Sequence, residues 1–117
     1  MLYAPLSGEE IRNAELLVDA TSDPTFQTEL TLSPAISARI SPIYYYREIT
    51  APIQLHHGTA DAAIPVAWAE ETCDAATAAG VQIECIYYPE ERHTFSGRVT
   101  DKFYGTLLNF YKTHLSP

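Results

Sequence analysis

The stretch that most limits what this chain can fold into runs from residue 52 to residue 88. It holds two short apolar runs separated by one helix-length segment. The first run, PIQLHH at 52–57, ends at Gly58 and reads as a buried strand. Pro65 suits the first position of a helix, where a fixed φ helps and a missing N–H costs nothing. Over 66–79, Ala69, Cys73, Ala76 and Ala79 form a seam of small groups that lets a helix lie close on a sheet. Gly80, free to adopt positive φ, ends that helix. The second run, VQIECIYY at 81–88, is rich in β-branched and aromatic residues and reads as a strand. Two strands joined by one helix should be parallel, with a right-handed crossover. Parallel strands need both faces covered. After a loop at 89–98, Phe103, Leu107, Phe110 and His114 recur at helical spacing, with Leu108, Tyr111 and Leu115 widening the stripe. Thr100 is the expected N-cap. This last helix can cover the face that the crossover helix does not.

The first part of the chain is less regular, and the division falls near Pro52. Residues 2–6 (LYAPL) form a candidate strand, with Pro5 at an edge or strand end. Residues 9–18 can form a helix with Ile11, Ala14, Leu17 and Val18 inward. Asp23-Pro24 and Ser33-Pro34 each place an N-cap before a helix-starting proline. Residues 41–46 read as an irregular, aromatic-rich turn whose tyrosines belong to core or pocket wall. The fold class expected is α/β, a small parallel sheet of about three strands flanked by helices. Residues 1–117 then make one partial domain: a strand plus an irregular helical segment over 1–50, and β-α-β-α over 51–117.

Composition excludes several functions. The formal net charge is −8, and phosphate backbones repel such a surface, so nucleic acid is not an expected partner. No apolar run approaches the roughly 20 residues a membrane-spanning helix needs. The start, MLYAPLSGEE, lacks the basic region and long apolar stretch of a secretory signal, which makes a cytoplasmic home the expectation. The four histidines lack metal-ligand spacing, so neither metal nor cofactor is expected. Cys73 and Cys85 are expected to be buried free thiols, with a disulfide between them as the alternative.

Four features stand in order: a strand ending in His57-Gly58, then Asp61, then His93 in the loop after the second strand, then a closing amphipathic helix. Function in parallel sheets collects at the C-terminal ends of strands. Asp61 and His93 both fall there. A carboxylate beside a histidine fixes its tautomer and stabilises the imidazolium, as general-base catalysis requires. Taken alone, such an Asp shapes a turn and such a His is solvated. Taken as an ordered set, the runs ISPIYYYREITAPIQLHHGTADAAIP and GVQIECIYYPEERHTF resemble the C-terminal part of α/β-hydrolases of the prolyl-oligopeptidase and dienelactone-hydrolase-like kind, over roughly residues 40–115. The resemblance implies that Asp61 is the acid and His93 the base of a catalytic triad. It also implies that residues 1–7 are the strand following the nucleophile-bearing unit.

The departure concerns the nucleophile. The family places it in Gly-x-Ser-x-Gly between a strand and a helix, and no such motif occurs in this sequence. The preceding strands, and the loop giving one oxyanion amide, are also missing. By the resemblance, the chain begins about where the nucleophile helix would have ended. Ser7, Ser22, Ser33, Ser37, Ser41, Ser96 and Ser116 remain. Ser7 is the best candidate, because a strand over 2–6 parallel to 52–57 would bring it to the rim that carries Asp61 and His93. Gly8 would then allow a tight turn with an exposed amide. The favoured reading of Ser7 is nevertheless a capping box with Glu10, which does not exclude the other role. Ser96 orders its loop on this reading. His57 is a structural strand-end residue, His56 and His114 are packing or surface residues, and Trp68 anchors its helix.

Two functions follow. In the first, the chain is a carboxyl-ester hydrolase in which Asp61 orients His93 and His93 activates a serine in the same chain or in a neighbouring subunit, with short acyl esters as substrates and an acyl-enzyme as intermediate. A peptidase would need a larger binding apparatus. In the second, it is a non-catalytic or split fragment that needs a partner chain supplying Gly-x-Ser-x-Gly. In either case the exposed edge of the strand at 2–6 is a template for pairing, and a homo-oligomer is expected. Hydrolysis by a His93-activated water is a weaker third route.

Overall fold

The structure, a computed structural model, describes residue 39 and residues 41–115. Ser7 and the elements expected over 2–6, 9–18 and after Asp23 and Ser33 lie outside them. The chain divides into two compact units, Met1–Glu48 and Ile49–Pro117, with the boundary close to the division expected at Pro52.

In the first unit, the expected irregular turn is a 3-10 helix, Pro42–Glu48. Proline at its first position presets φ and leaves no N–H to satisfy. Ser41 accepts the Tyr44 N–H at its carbonyl, and Tyr45 Oη donates to the Arg39 carbonyl at 2.9 Å. Ser41 and Tyr46 are buried, whereas Tyr44 is exposed.

The second unit has the expected order: β1 (Ile53–Gly58), α1 (Val66–Ala78), β2 (Ile83–Tyr88) and α2 (Gly97–Leu115). β1 and β2 pair in parallel, in a register running from Ile53 opposite Ile83 to Gly58 opposite Tyr88. Strand side chains alternate between faces. Cys85 is bonded to Cys73 of α1, so the odd-numbered face of the sheet lies against α1. His56 meets the Phe103 ring of α2 edge-on at 4.8 Å, so the even-numbered face lies under α2. The two helices thus take opposite faces, as parallel strands require. About three strands were expected. Among the described residues the sheet has two, and the third lay at residues 2–6.

The small-residue seam explains how α1 seats. Ala76 is fully buried and Ala69 nearly so, which leaves no room for larger side chains there. Trp68, buried beside them, is the anchor expected, its burial contributing roughly 4–6 kcal/mol before entropic costs. The helix ends as its glycine demands. Gly80 has φ +88°, its N–H bonds to the Thr77 carbonyl, and the Val81 N–H bonds to the Ala76 carbonyl. That reciprocal pair is the Schellman arrangement.

Three expectations need correction. Cys73 and Cys85 are not free thiols but a disulfide, with Cα atoms 6.4 Å apart. The seam that brings α1 close to β2 sets a separation that a disulfide can span. Second, α2 begins at Gly97, so Thr100 lies in its first turn and is not the cap. Gly97, at φ +53°, makes the entry that a side-chain-bearing residue would resist. Third, the stripe on α2 is narrower than expected. Phe103, Leu107 and Phe110 are half-buried, but Leu108, Tyr111 and Leu115 are exposed, with Leu115 at 70%. The two described strands, about 4.8 Å apart, offer too narrow a surface to cover the flank of a helix about 10 Å wide.

Candidate active site

Asp61 and His93 project from the loops that follow β1 and β2, at the same end of the sheet. His93 Nδ1 lies 2.9 Å from Asp61 Oδ2. A carboxylate only accepts, so Nδ1 carries the proton of this bond, and Nε2 of the neutral ring is left as a base. The two partners differ in exposure: the Asp61 side chain is 4% exposed and that of His93 is 51% exposed. The carboxylate is buried and the imidazole faces outward.

Asp61 divides its work between its oxygens. Oδ1 accepts the backbone N–H groups of Ala63 at 2.8 Å and Ile64 at 3.0 Å, forming the turn that an aspartate at this place commonly makes. Oδ2 is thereby presented to His93. Burial pushes the Asp61 carboxyl upward, but the Ile64 amide, the His93 ring and the Ala63 amide together outweigh it. The net effect holds the carboxyl below its ordinary value of 3.8. The group is therefore ionised wherever His93 could act as a base.

His57 closes the acid loop. Its Nε2 donates to the Ile64 carbonyl at 3.0 Å and lies 3.6 Å from Asp61 Oδ2. It is the structural strand-end residue expected, with the acid in reach. His56 packs, as expected. It stacks on Tyr88, and its Nδ1 accepts from Tyr88 Oη at 2.9 Å while Nε2 donates to Gln54 Oε1 at 2.8 Å. Burial, only partly offset by Glu84, lowers its pKa, consistent with a neutral ring serving as both donor and acceptor.

The His loop is stitched to the acid loop through backbone. Thr59 N–H donates to the Tyr88 carbonyl and Ala60 N–H to the Glu91 carbonyl, both at 2.9 Å. Gly58 makes this approach possible: a Cβ there would sit 2.5 Å from the Arg92 carbonyl oxygen and closer still to that of Glu91. The glycine of His-Gly-x-x-Asp is thus required by close backbone packing. Pro89 and Glu90 turn the chain out of β2, with Glu91 N–H returning to the Tyr88 carbonyl at 3.3 Å. Glu90 takes φ 61°, a position that glycine usually fills in such a turn, and its N–H is held by Thr59 Oγ1 at 3.0 Å. Beyond His93, Phe95 packs on Tyr88 and Phe103, with ring centroids 4.5 and 5.3 Å away. Ser96, expected to order this loop, does so through its N–H, which donates to Glu91 Oε2 at 3.1 Å.

The structure therefore brings together Asp61 and His93, and Ser7 lies outside the described residues. Sequence reasoning passed over Glu91, which contacts the end of β2, the acid loop and Ser96. Nothing local in the run PEERH separates it from its neighbour Glu90.

A family model described as the prolyl oligopeptidase family matches residues 15–117, which takes in both loops and leaves Ser7 outside. No curated protein and no solved structure matches the chain. With that match spanning most of the sequence, the chain belongs to the prolyl oligopeptidase family, a family of serine hydrolases with the α/β-hydrolase fold.

Proposed function

We propose that this chain hydrolyses carboxyl esters of short acyl groups through the Asp61–His93 pair and a serine, with Ser7 as the nucleophile. The observation that carries this reading is the 2.9 Å bond from His93 Nδ1 to a buried, ionised Asp61. His93 Nε2 takes the hydroxyl proton as the serine oxygen bonds to the acyl carbon. Asp61 stabilises the imidazolium that results. As the intermediate collapses, the alcohol leaves with that proton. Water then attacks the acyl-enzyme through the same base, restoring the serine. Turnover is modest in this proposal, because oxyanion donors other than the usual amide pair have to serve.

A second reading is favoured by one feature of the sequence, which contains no Gly-x-Ser-x-Gly. In it, Asp61 and His93 await a serine on a partner chain. A homo-oligomer formed through a sheet edge is proposed under both readings.

A fluorophosphonate probe separates them. Peptide mapping of the treated chain should find one labelled serine, Ser7, and His93→Ala should abolish the label. Labelling of another serine would remove Ser7 from the mechanism. An unlabelled chain would sink the covalent reading and favour the fragment.

A further inference from the structure

Glu91 holds three segments together. Its N–H donates to the Tyr88 carbonyl at the end of β2, its carbonyl accepts from Ala60 in the acid loop, and its carboxylate accepts from Ser96 beyond His93. The last bond closes residues 91–96 into a ring with His93 inside it. His93 needs such support. Its side chain is half exposed, so packing does little to fix its rotamer, and its one bond to Asp61 spans two separate loops. Two of the Glu91 contacts use backbone and are available to any residue but proline at 91. Only the carboxylate-to-Ser96 bond depends on the side chain.

We propose that Glu91 is a positioning residue whose carboxylate, by closing the 91–96 ring on the Ser96 amide, keeps His93 Nδ1 on Asp61 and so holds the Nδ1–H tautomer. The role needs an acceptor oxygen and not a charge, because the partner is a neutral amide. It rests on the reading of Asp61 and His93 as acid and base, and deepens it. A ring released from Asp61 has no carboxylate to impose the Nδ1–H form, and an exposed neutral imidazole favours the Nε2–H form.

The test is the 15N spectrum of the histidine rings of the full chain at alkaline pH, where the two tautomers give different shift patterns, with His93→Gln used to assign the signals. Wild type should show His93 as Nδ1–H, and Asp61→Asn should lose that signature. Glu91→Ala should lose it too, with circular dichroism and the His56 and His57 signals unchanged. Glu91→Gln, which keeps an acceptor oxygen, should retain it. Retention of the Nδ1–H pattern in Glu91→Ala would overturn the proposal for Glu91 alone. Loss in Glu91→Gln as well as Glu91→Ala would also overturn it, since the acceptor would not be what matters. A wild-type ring already in the Nε2–H form would overturn both this role and the Asp61–His93 pairing beneath it. None of these outcomes depends on turnover, so failure of the ester-hydrolase reading is seen separately, in the probe experiment.

Discussion

At the scale of residues, the site depends on one buried carboxylate doing two things. Asp61 Oδ1 makes the turn and Oδ2 holds His93, so stability and the proposed catalysis share the group. Its folded-state pKa lies below its ordinary value of 3.8. A carboxylate lowered on folding adds stability that is fully present above its unfolded pKa and is lost as pH falls through the lower folded value. The stability advantage of the wild type over Asp61→Asn should therefore persist at about pH 6 and shrink below about pH 3.8. Urea unfolding of both proteins across that range tests this; a gap that stays constant into acid would mean the carboxylate is not favoured by the fold. Any esterase activity should fall by roughly three to four orders of magnitude in the same variant, because the amide can present its NH2 to His93 and stabilise the wrong tautomer. The sequence motif marked Asp61 and His93 as a pair. It could not divide the two oxygens, because that division depends on where Ala63, Ile64 and His93 come to lie.

At the scale of elements, the Cys73–Cys85 bond ties the crossover helix to the strand that leads into the His loop. The two cysteines are 12 residues apart, and closing a loop of that size stabilises by about 3 kcal/mol in the chain-entropy model. Reduction should lower the melting temperature by on the order of 10 °C. A melt unaffected by reductant would show that the thiols are unpaired in solution. The bond also bears on where the chain works. Disulfides persist in oxidising compartments and are rare in the cytosol, whereas the cytoplasmic expectation rested on the character of the first residues. No described helix is long and apolar enough to cross a membrane. Alkylation of the chain during extraction from its own cells and their medium, before any reduction, decides between the two: protected cysteines favour the oxidising compartment.

At the scale of the whole molecule, the proposed association is open to test. Tyr104, Leu108, Tyr111 and Leu115 are exposed along one flank of α2, which adds an apolar surface to the proposed sheet edge as a place for contact with another chain. A net charge of −8 opposes self-association. The proposed homo-oligomer should therefore tighten as salt rises from about 0.01 M to about 0.15 M, since screening weakens the repulsion and leaves the pairing of sheet edges intact. Sedimentation velocity at the two salt concentrations checks this. A monomer under both conditions would end the oligomer proposal and, with it, the idea that a neighbouring copy of this chain completes the site.

What the sequence determined by itself is local in origin. Periodicity set the order strand, helix, strand, helix; Gly80 ended α1 where positive φ was needed; and Asp61 and His93 each follow directly on the end of a strand. Each of these depends on a few neighbouring residues. Only the tertiary structure decided that Cys73 meets Cys85, that Leu108 and Leu115 stay outside, that Gly58 must lack a Cβ because the Glu91 and Arg92 carbonyls press on it, and that Glu91 and not Glu90 reaches Ser96. Those outcomes turn on distances between segments remote in sequence, which packing sets to within an ångström and no local pattern encodes.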